Sequence, residues 1–359
     1  MKLDELGWNA FLAAEWNSEV RHEGRPARVI AQHRELWDVA GEFGECRAEA
    51  SGKLRLAAEE GADWPAVGDW VSVSGEPGRG TTIREVLPRR TQIARKVAGR
   101  RVAAQVLAAN VDTLFLLMGM DGDYNPRRLE RYLAQAWESG ARVVVLLNKA
   151  DVCEDAEALR EQIRCIASGA EVLCISAATG AGISPLDSYL ESGQTIVLLG
   201  SSGVGKSTLV NRLLERDAQA TSPVRTSDSR GRHTTTAREL FFLPGGAMAI
   251  DTPGLRELQL WDSEAGLDQA FGDVEVLAKQ CRFRDCRHSG EPGCAVVAAI
   301  REGELEKERL ENHQKLLREH AFLERKINKG AQQKARNQIK IINRAVRELY
   351  RRRDREGKK

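Results

Sequence analysis

The stretch Gln194–Glu215, QTIVLLGSSGVGKSTLVNRLLE, decides the fold. Its first part, QTIVLLG, is a β-branched, apolar run of strand length; its last, STLVNRLLE, spaces apolar residues as an amphipathic helix does. A glycine-rich turn lies between them. A strand feeding such a turn, which then opens a helix, is the layout of a phosphate-binding loop, here Gly200–Thr208. Gly200, Gly203 and Gly205 let consecutive backbone N–H groups curl around phosphate oxygens, with Ser201, Ser202 and Val204 completing the turn. Lys206 would reach the β and γ oxygens, and the Ser207 hydroxyl, beside Thr208, would ligate Mg²⁺. In the empty loop the Lys206 side chain is expected to face solvent.

A base reader lies upstream. ARVVVLL is a buried-strand run that ends in NKAD, Asn148–Asp151. The two carboxylate oxygens of Asp151 can accept N1–H and N2–H₂ of guanine, a donor pair that adenine lacks. Asn148 would tie this loop to the phosphate loop, and the Lys149 stem, next to Ala150, would lie over the base. In CISAATG, Ser176 and Ala177 follow another strand, where a backbone N–H could meet guanine O6. Downstream, FFLPGGAMAIDTPG reads as a hairpin about Pro244–Gly246 whose second strand ends in Asp251. Asp251 would hold a Mg²⁺-bound water, and the Gly254 N–H would report on the γ-phosphate. One of Thr234, Thr235 and Thr236 in GRHTTT would be a second Mg²⁺ ligand, with Thr235 and Thr236 preferred. Leu255 occupies the place where many GTPases carry a water-orienting Gln. His233 is the only imidazole in that segment and is the candidate catalytic base, acting beside Lys206 on the phosphates; a contact to the phosphate of a polyanionic partner is its alternative role.

The unusual feature is the order, base reader before phosphate loop. In a doubly wound sheet, ligands gather at the carboxyl ends of strands, so strand position matters and chain order need not. VDTLFLLMGM and ARVVVLLNKAD flank a helical stretch, PRRLERYLAQAWESG, which is βαβ patterning and predicts a parallel sheet with helices on both faces. Joining the natural ends and cutting after the Asp251 strand preserves that sheet. The γ-phosphate sensor then runs directly into the following domain.

Before this unit, Ala27 to Val86 shows short segments, ARVIAQ, LWDVAGEF, CRAEAS, KLRLAA, DWVSVS and GTTIREVL, separated by turns, as in a small β-barrel. Its Trp37, Phe43, Trp64 and Trp70 read as core more readily than as stacking platforms. After it, Cys281, Cys286, His288 and Cys294 supply three thiolates and an imidazole in one polar loop, a closed set suited to one structural Zn²⁺. The other four of the seven cysteines read as free buried thiols. Formal net charge is +2, yet the segment Arg325–Lys359 holds 14 Lys or Arg against three acids. A basic tail on an acidic body points to a polyanionic partner. No apolar run approaches the roughly 20 residues that span a bilayer, and the polar, acidic start is no secretory signal, so a cytoplasmic protein is expected.

NKAD, then the phosphate loop, GRHTTT and DTPG, together with VGDWV (Val67–Val71), LPRRTQIARK (Leu87–Lys96) and the Cys/His loop, resemble the circularly permuted, ribosome small-subunit-dependent GTPases (the YjeQ/RsgA family). The resemblance spans about Ala27 to Glu319. It implies a multidomain α/β protein: a lead segment at 1–26, an OB-fold RNA-binding barrel at 27–95, a permuted P-loop GTPase domain at 96–271, a zinc-binding helical domain at 272–324 and a basic tail at 325–359. It also implies a GTP hydrolase acting late in maturation of the small ribosomal subunit. The expected partners are that subunit with its 16S rRNA and GTP/GDP, with no membrane, and a monomer. The alternatives are a GTP-gated RNA-binding switch with little hydrolysis of its own, or a permuted GTPase of large-subunit assembly.

Overall fold

The computed structural model describes residues 1–18, 24–58, 64–96, 104–215, 238–251 and 264–322. After helix α1 (Ala10–Trp16) come β1 (Arg25–His33), β2 (Leu36–Gly41), β3 (Gly44–Ala50), helix α2 (Gly52–Ala57), β4 (Trp70–Glu76) and β5 (Arg79–Val86). The five strands run in the order β1-β2-β3-β5-β4, and pairing of β4 back onto β1 closes the barrel. Only β3 and β5 pair in parallel. Val29, Trp37, Val39, Val71, Val73 and Ile83 fill the interior. Trp37 and Trp70 are each 1% exposed, and Trp64 stacks on Trp37 at 5.5 Å, so these tryptophans serve the core.

One expectation is corrected here. KLRLAA is helix α2 and not a strand. Ser51 caps it by accepting from the Leu54 amide, the run is rich in helix formers, and within the helix only Leu54 is buried, so an alternating face is lacking. The polar-looking lead segment is anchored. Leu6 and Leu12 are buried with Trp70 and Leu87, and Trp8 packs edge-on against Trp70.

Two strands, β6 (Gln92–Lys96) and β7 (Ala104–Ala109), pair with each other outside the barrel. The central unit then runs β8 (Thr113–Gly119), α3 (Pro126–Glu138), β9 (Arg142–Asn148), α4 (Ala156–Ile166), β10 (Glu171–Cys174), β11 (Thr195–Gly200), α5 (Lys206–Glu215), β12 (Arg238–Phe242) and β13 (Met248–Asp251). Its strand order is β10-β9-β8-β11-β13-β12, all parallel except β12. Side chains of a strand alternate between faces, and β8 feeds two cores. Leu114, Leu116 and Met118 join the α3 side, while Phe115 and Leu117 join Leu209 and Leu213 of α5. Both faces are therefore covered, as the continuous apolar runs required.

The antiparallel edge strand β12 does not end the sheet. It pairs with β1 of the barrel, Ala31 opposite Glu239 and Gln32 opposite Arg238, and one sheet of eleven strands results. That pairing satisfies an otherwise open edge. Arg28, 1% exposed, pins the same junction: its guanidinium donates to the carbonyls of Leu6, Gly68 and Asn110. Burial lowers its pKa to about 10.

Helices α6 (Glu264–Ala270), α7 (Gly272–Ala278), α8 (Ala295–Glu302) and a helical stretch at 307–322 complete the described chain. α6 lies so close to α3 that a Cβ on Gly266 would fall 2.1 Å from the Ala134 carbonyl oxygen. Leu267, Phe271, Val274, Val296 and Leu310 belong to the same apolar cluster as α3, so the C-terminal helices share a core with the central unit. Among the described residues no helix is long and apolar enough to cross a membrane.

Candidate nucleotide site and metal centre

Parallel β8, β9, β10, β11 and β13 all finish on one side of the sheet, which gathers their following loops. Asn148 ends β9 and is 2% exposed. Its Nδ2 donates to the Val204 carbonyl at 2.8 Å, and its Oδ1 accepts from the Ala177 amide at 2.9 Å. One buried carboxamide thus clasps three loops, and the expected tie between base reader and phosphate loop is present. Gly205 has φ +102°, and a Cβ there would sit 2.2 Å from Asn148 Nδ2, so both conformation and space demand glycine.

The phosphate loop leads from β11 into α5, whose first residue is Lys206. Lys206 does not face solvent as expected: Nζ donates to the carbonyls of Gly200 at 2.7 Å and Ser201 at 2.6 Å. An ammonium carries three donors, and the carbonyls of the turn lie within their reach. Ser202, Gly203, Ser207 and Thr208 are exposed along the mouth of the loop, while Val204 is buried beneath it. The exposed Ser207 hydroxyl at the helix start fits the role of a Mg²⁺ ligand.

On the base side, Lys149 adopts φ +69° and starts a tight helical turn, Ala150–Val152, on which Asp151 is exposed. The Ser176 amide donates to the Ala181 carbonyl, and Ala177 donates to Asn148, so both amides expected near guanine O6 already have acceptors. Contact with O6 would share the Ala177 donor or fall to Ala178. Asp251 closes β13, paired opposite Glu239. His233, Thr234, Thr235, Thr236 and Gly254, like the basic tail from Arg325, lie outside the described residues.

In the C-terminal part, the ligand atoms of Cys281, Cys286, His288 and Cys294 all lie within 4.8 Å of one another. Cys281 Sγ is 3.9 Å from Cys294 Sγ and 3.6 Å from His288 Nδ1, which is 3.4 Å from Cys294 Sγ. Tetrahedral zinc, with bonds of about 2.3 Å to sulfur and about 2.0 Å to nitrogen, sets S–S near about 3.8 Å and S–N near about 3.5 Å. Cys281, His288 and Cys294 match that geometry, and Cys286 Sγ lies within 4.8 Å of each of them. Cys294 also caps α8 by accepting from the Val297 amide, which fixes its sulfur at the start of that helix. Of the remaining cysteines, Cys46, Cys153 and Cys174 are half-buried and Cys165 is exposed; all four are free, but none has the full burial expected.

The sequence model of the RsgA GTPase family matches residues 86–261. A small ribosomal subunit biogenesis GTPase RsgA from Opitutus terrae is 46% identical over 338 residues, covering 91% of this chain and 92% of that protein. The chain belongs to the RsgA GTPase family. A relative of the same description from Syntrophotalea carbinolica is 45% identical over 88% of each chain. Among solved structures, YjeQ from Thermotoga maritima superposes with a TM-score of 0.62 at 28% identity, covering 83% of this chain and 98% of that one. YloQ, described as a circularly permuted GTPase, shares the fold with a TM-score of 0.58 at 23% identity. This RsgA-family chain is accordingly a GTPase of permuted order, with an OB-like barrel before the GTPase unit and a Cys₃His group after it.

Three residues that carry no motif signal brace these loops from outside in the RsgA-family chain. Arg212 of α5 reaches the carbonyls of Ala177 and Ala178 and holds that loop against the phosphate-loop helix. Asp121 accepts from Lys149 Nζ at 2.6 Å, and that hydrogen bond holds its carboxyl below the usual range. Asp123 accepts from the Ser201 hydroxyl and pairs with Arg128 at 2.9 Å. MGMDGDYN offers only a turn signal in the sequence, because its chemistry depends on what the parallel sheet places beside it.

Proposed function

We propose that this chain binds the small ribosomal subunit late in its maturation and hydrolyses GTP to time its own release. The Asn148 clasp carries the reading: it unites a guanine-reading loop and a phosphate loop in the reversed order that this family shares. Asn148, Lys149, Ala150 and Asp151 hold the base, with Ser176 and Ala177 behind it. Gly200 to Thr208 hold the phosphates. Lys206 leaves its loop carbonyls for the β and γ oxygens, Ser207 and one of Thr234, Thr235 and Thr236, the last two preferred, would hold Mg²⁺, and Asp251 and Gly254 sense the γ-phosphate. His233 orients or deprotonates the attacking water. Cys281, Cys286, His288 and Cys294 hold one structural Zn²⁺.

The relatives' shared description as small-subunit biogenesis GTPases supports the partner, and so does the basic tail. A cleft of about 810 Å³ where the barrel meets the GTPase unit is lined by Arg89 and Arg90, paired with Asp69 and Asp112, and by Glu85 and Glu138; its exposed Lys53 and Arg84 offer cationic groups to an rRNA backbone. The protein works as a cytoplasmic monomer. Phosphate release measured alone, with small subunits and with large subunits tests the reading. Stimulation by small subunits, with co-sedimentation in a non-hydrolysable GTP analogue, is expected. Stimulation by large subunits instead, or binding without any hydrolysis, would overturn it. Deleting Arg325–Lys359 should flatten the salt dependence of that binding, by about 0.7 to 0.9 in log–log slope per lost phosphate contact.

A further inference from the structure

The loop between β8 and α3 touches both halves of the nucleotide site, and its two carboxylates are spent on them. Asp121 Oδ1 accepts from the Asp123 amide at 3.3 Å, which shapes the turn, while Oδ2 accepts from Lys149 Nζ at 2.6 Å. The Met120 amide donates to the Asn148 carbonyl at 2.8 Å and zips the loop onto the end of β9. A Cβ on Gly119 would fall 2.4 Å from Asp121 Oδ1, so the strand end is shaped to admit this carboxylate. Two residues on, Asp123 takes the Ser201 hydroxyl and the Arg128 guanidinium, and Asn125 caps α3 just beyond by accepting from the Arg128 amide.

We infer that Asp121 is a positioning residue for guanine nucleotide, holding Lys149 so that its stem covers the base, and that Asp123 does the same for the phosphate loop through Ser201. The inference rests on the guanine-nucleotide reading of the site. The Asp121–Lys149 pair is about one-third exposed on both sides, and ion pairs of that kind contribute little to folding. What the pair does instead is restrict a long, flexible side chain to one place, and the nucleotide then need not supply that ordering when it binds. The effect should fall on binding, equally for GDP and GTP because the base is common to both, and spare turnover once the site is saturated.

A fluorescent GDP analogue titrated into the zinc-loaded full-length protein tests this, with melting temperature read in parallel. Asp121→Asn should weaken binding by about tenfold, leave kcat at saturating GTP within about twofold, and leave the melting temperature near wild type; Asp121→Glu should recover part of the loss. The decisive arm is a cycle with Lys149→Met: if Asp121 acts through Lys149, adding Asp121→Asn to Lys149→Met should cost nothing further. Asp123→Asn and Ser201→Ala should be non-additive in the same way. Wild-type affinity in Asp121→Asn, or an equal loss with and without Lys149, would overturn the inference while leaving the GTPase reading intact. Failure of the wild-type protein to bind the analogue at all would overturn both.

Discussion

Replacement of Arg309 by alanine should be among the most damaging single changes in this protein, although the residue lies far from any motif. Its Nε and Nη2 grip Asp273 at 2.6 and 2.7 Å, Nη2 also reaches the Ala270 carbonyl at 2.9 Å, and Nη1 meets Glu130 at 3.0 Å. The guanidinium lies over the Phe271 ring at 4.9 Å. Glu130 stands on α3 with its side chain 0% exposed, whereas Asp273 is 40% exposed and can rehydrate. The cost is therefore dominated by the Glu130 charge, left buried with Arg127 and Asn312 as its remaining partners. Breaking one side of a buried pair costs about 3 to 5 kcal/mol, which for a chain of 359 residues is a fall in Tm of about 4 to 7 °C. Calorimetry and urea unfolding of zinc-loaded protein would measure it. Arg309→Lys should fall between, because an ammonium cannot grip Asp273 with a planar fork. Adding Glu130→Leu to Arg309→Ala should restore more than half the loss, since the stranded charge is then gone. A loss under about 1 kcal/mol for Arg309→Ala, or a further loss on adding Glu130→Leu, would refute the reasoning.

Asp151→Asn should weaken GTP binding and strengthen binding of xanthosine triphosphate, whose extra carbonyl an amide NH₂ can face; a competition titration that finds unchanged preference rejects Asp151 as the base reader. Zinc chelation, or Cys286→Ala, should unfold the 272–322 region and weaken subunit binding before nucleotide binding is affected, and metal analysis should find one equivalent of zinc in the purified protein. His313 is buried, stacked on Phe271 at 4.8 Å, and its pKa is lowered to about 4 by burial first and then by Arg309. Its folded pKa is below the unfolded value of 6.5, so the unfolded chain takes up the proton first and stability falls as pH drops from about 6.5 to about 4. The full loss is about 3 kcal/mol, and His313→Phe should remove that component of the pH profile; an unchanged profile in the variant assigns it to other groups.

The parts legible in the sequence were those whose chemistry is local. Glycines needed at positive φ, a lysine opening a helix, a tetrapeptide at a strand end, and four metal donors within fourteen residues all leave their spacing in the chain. Apolar runs with a helical interval between them were enough for the parallel sheet, and the reversed motif order was enough for the permutation. Even locally, KLRLAA escaped, because apolar residues alternating with basic ones fit a strand until the Ser51 cap and the single buried leucine are seen.

The tertiary structure alone decided where polar residues go. Arg28 to Met248, Glu130 to Arg309, Asp121 to Lys149 and Arg212 to the Ala177 carbonyl are separated by 220, 179, 28 and 35 residues. An aspartate or arginine in a sequence has many possible partners, and nothing in its spacing names one. The pairing of β1 with β12, which welds the barrel to the GTPase sheet, is equally silent, because a backbone edge carries no side-chain code for what covers it. Hydrophobic periodicity is a property of a segment, whereas the partner of a buried charge is a property of the whole packed chain.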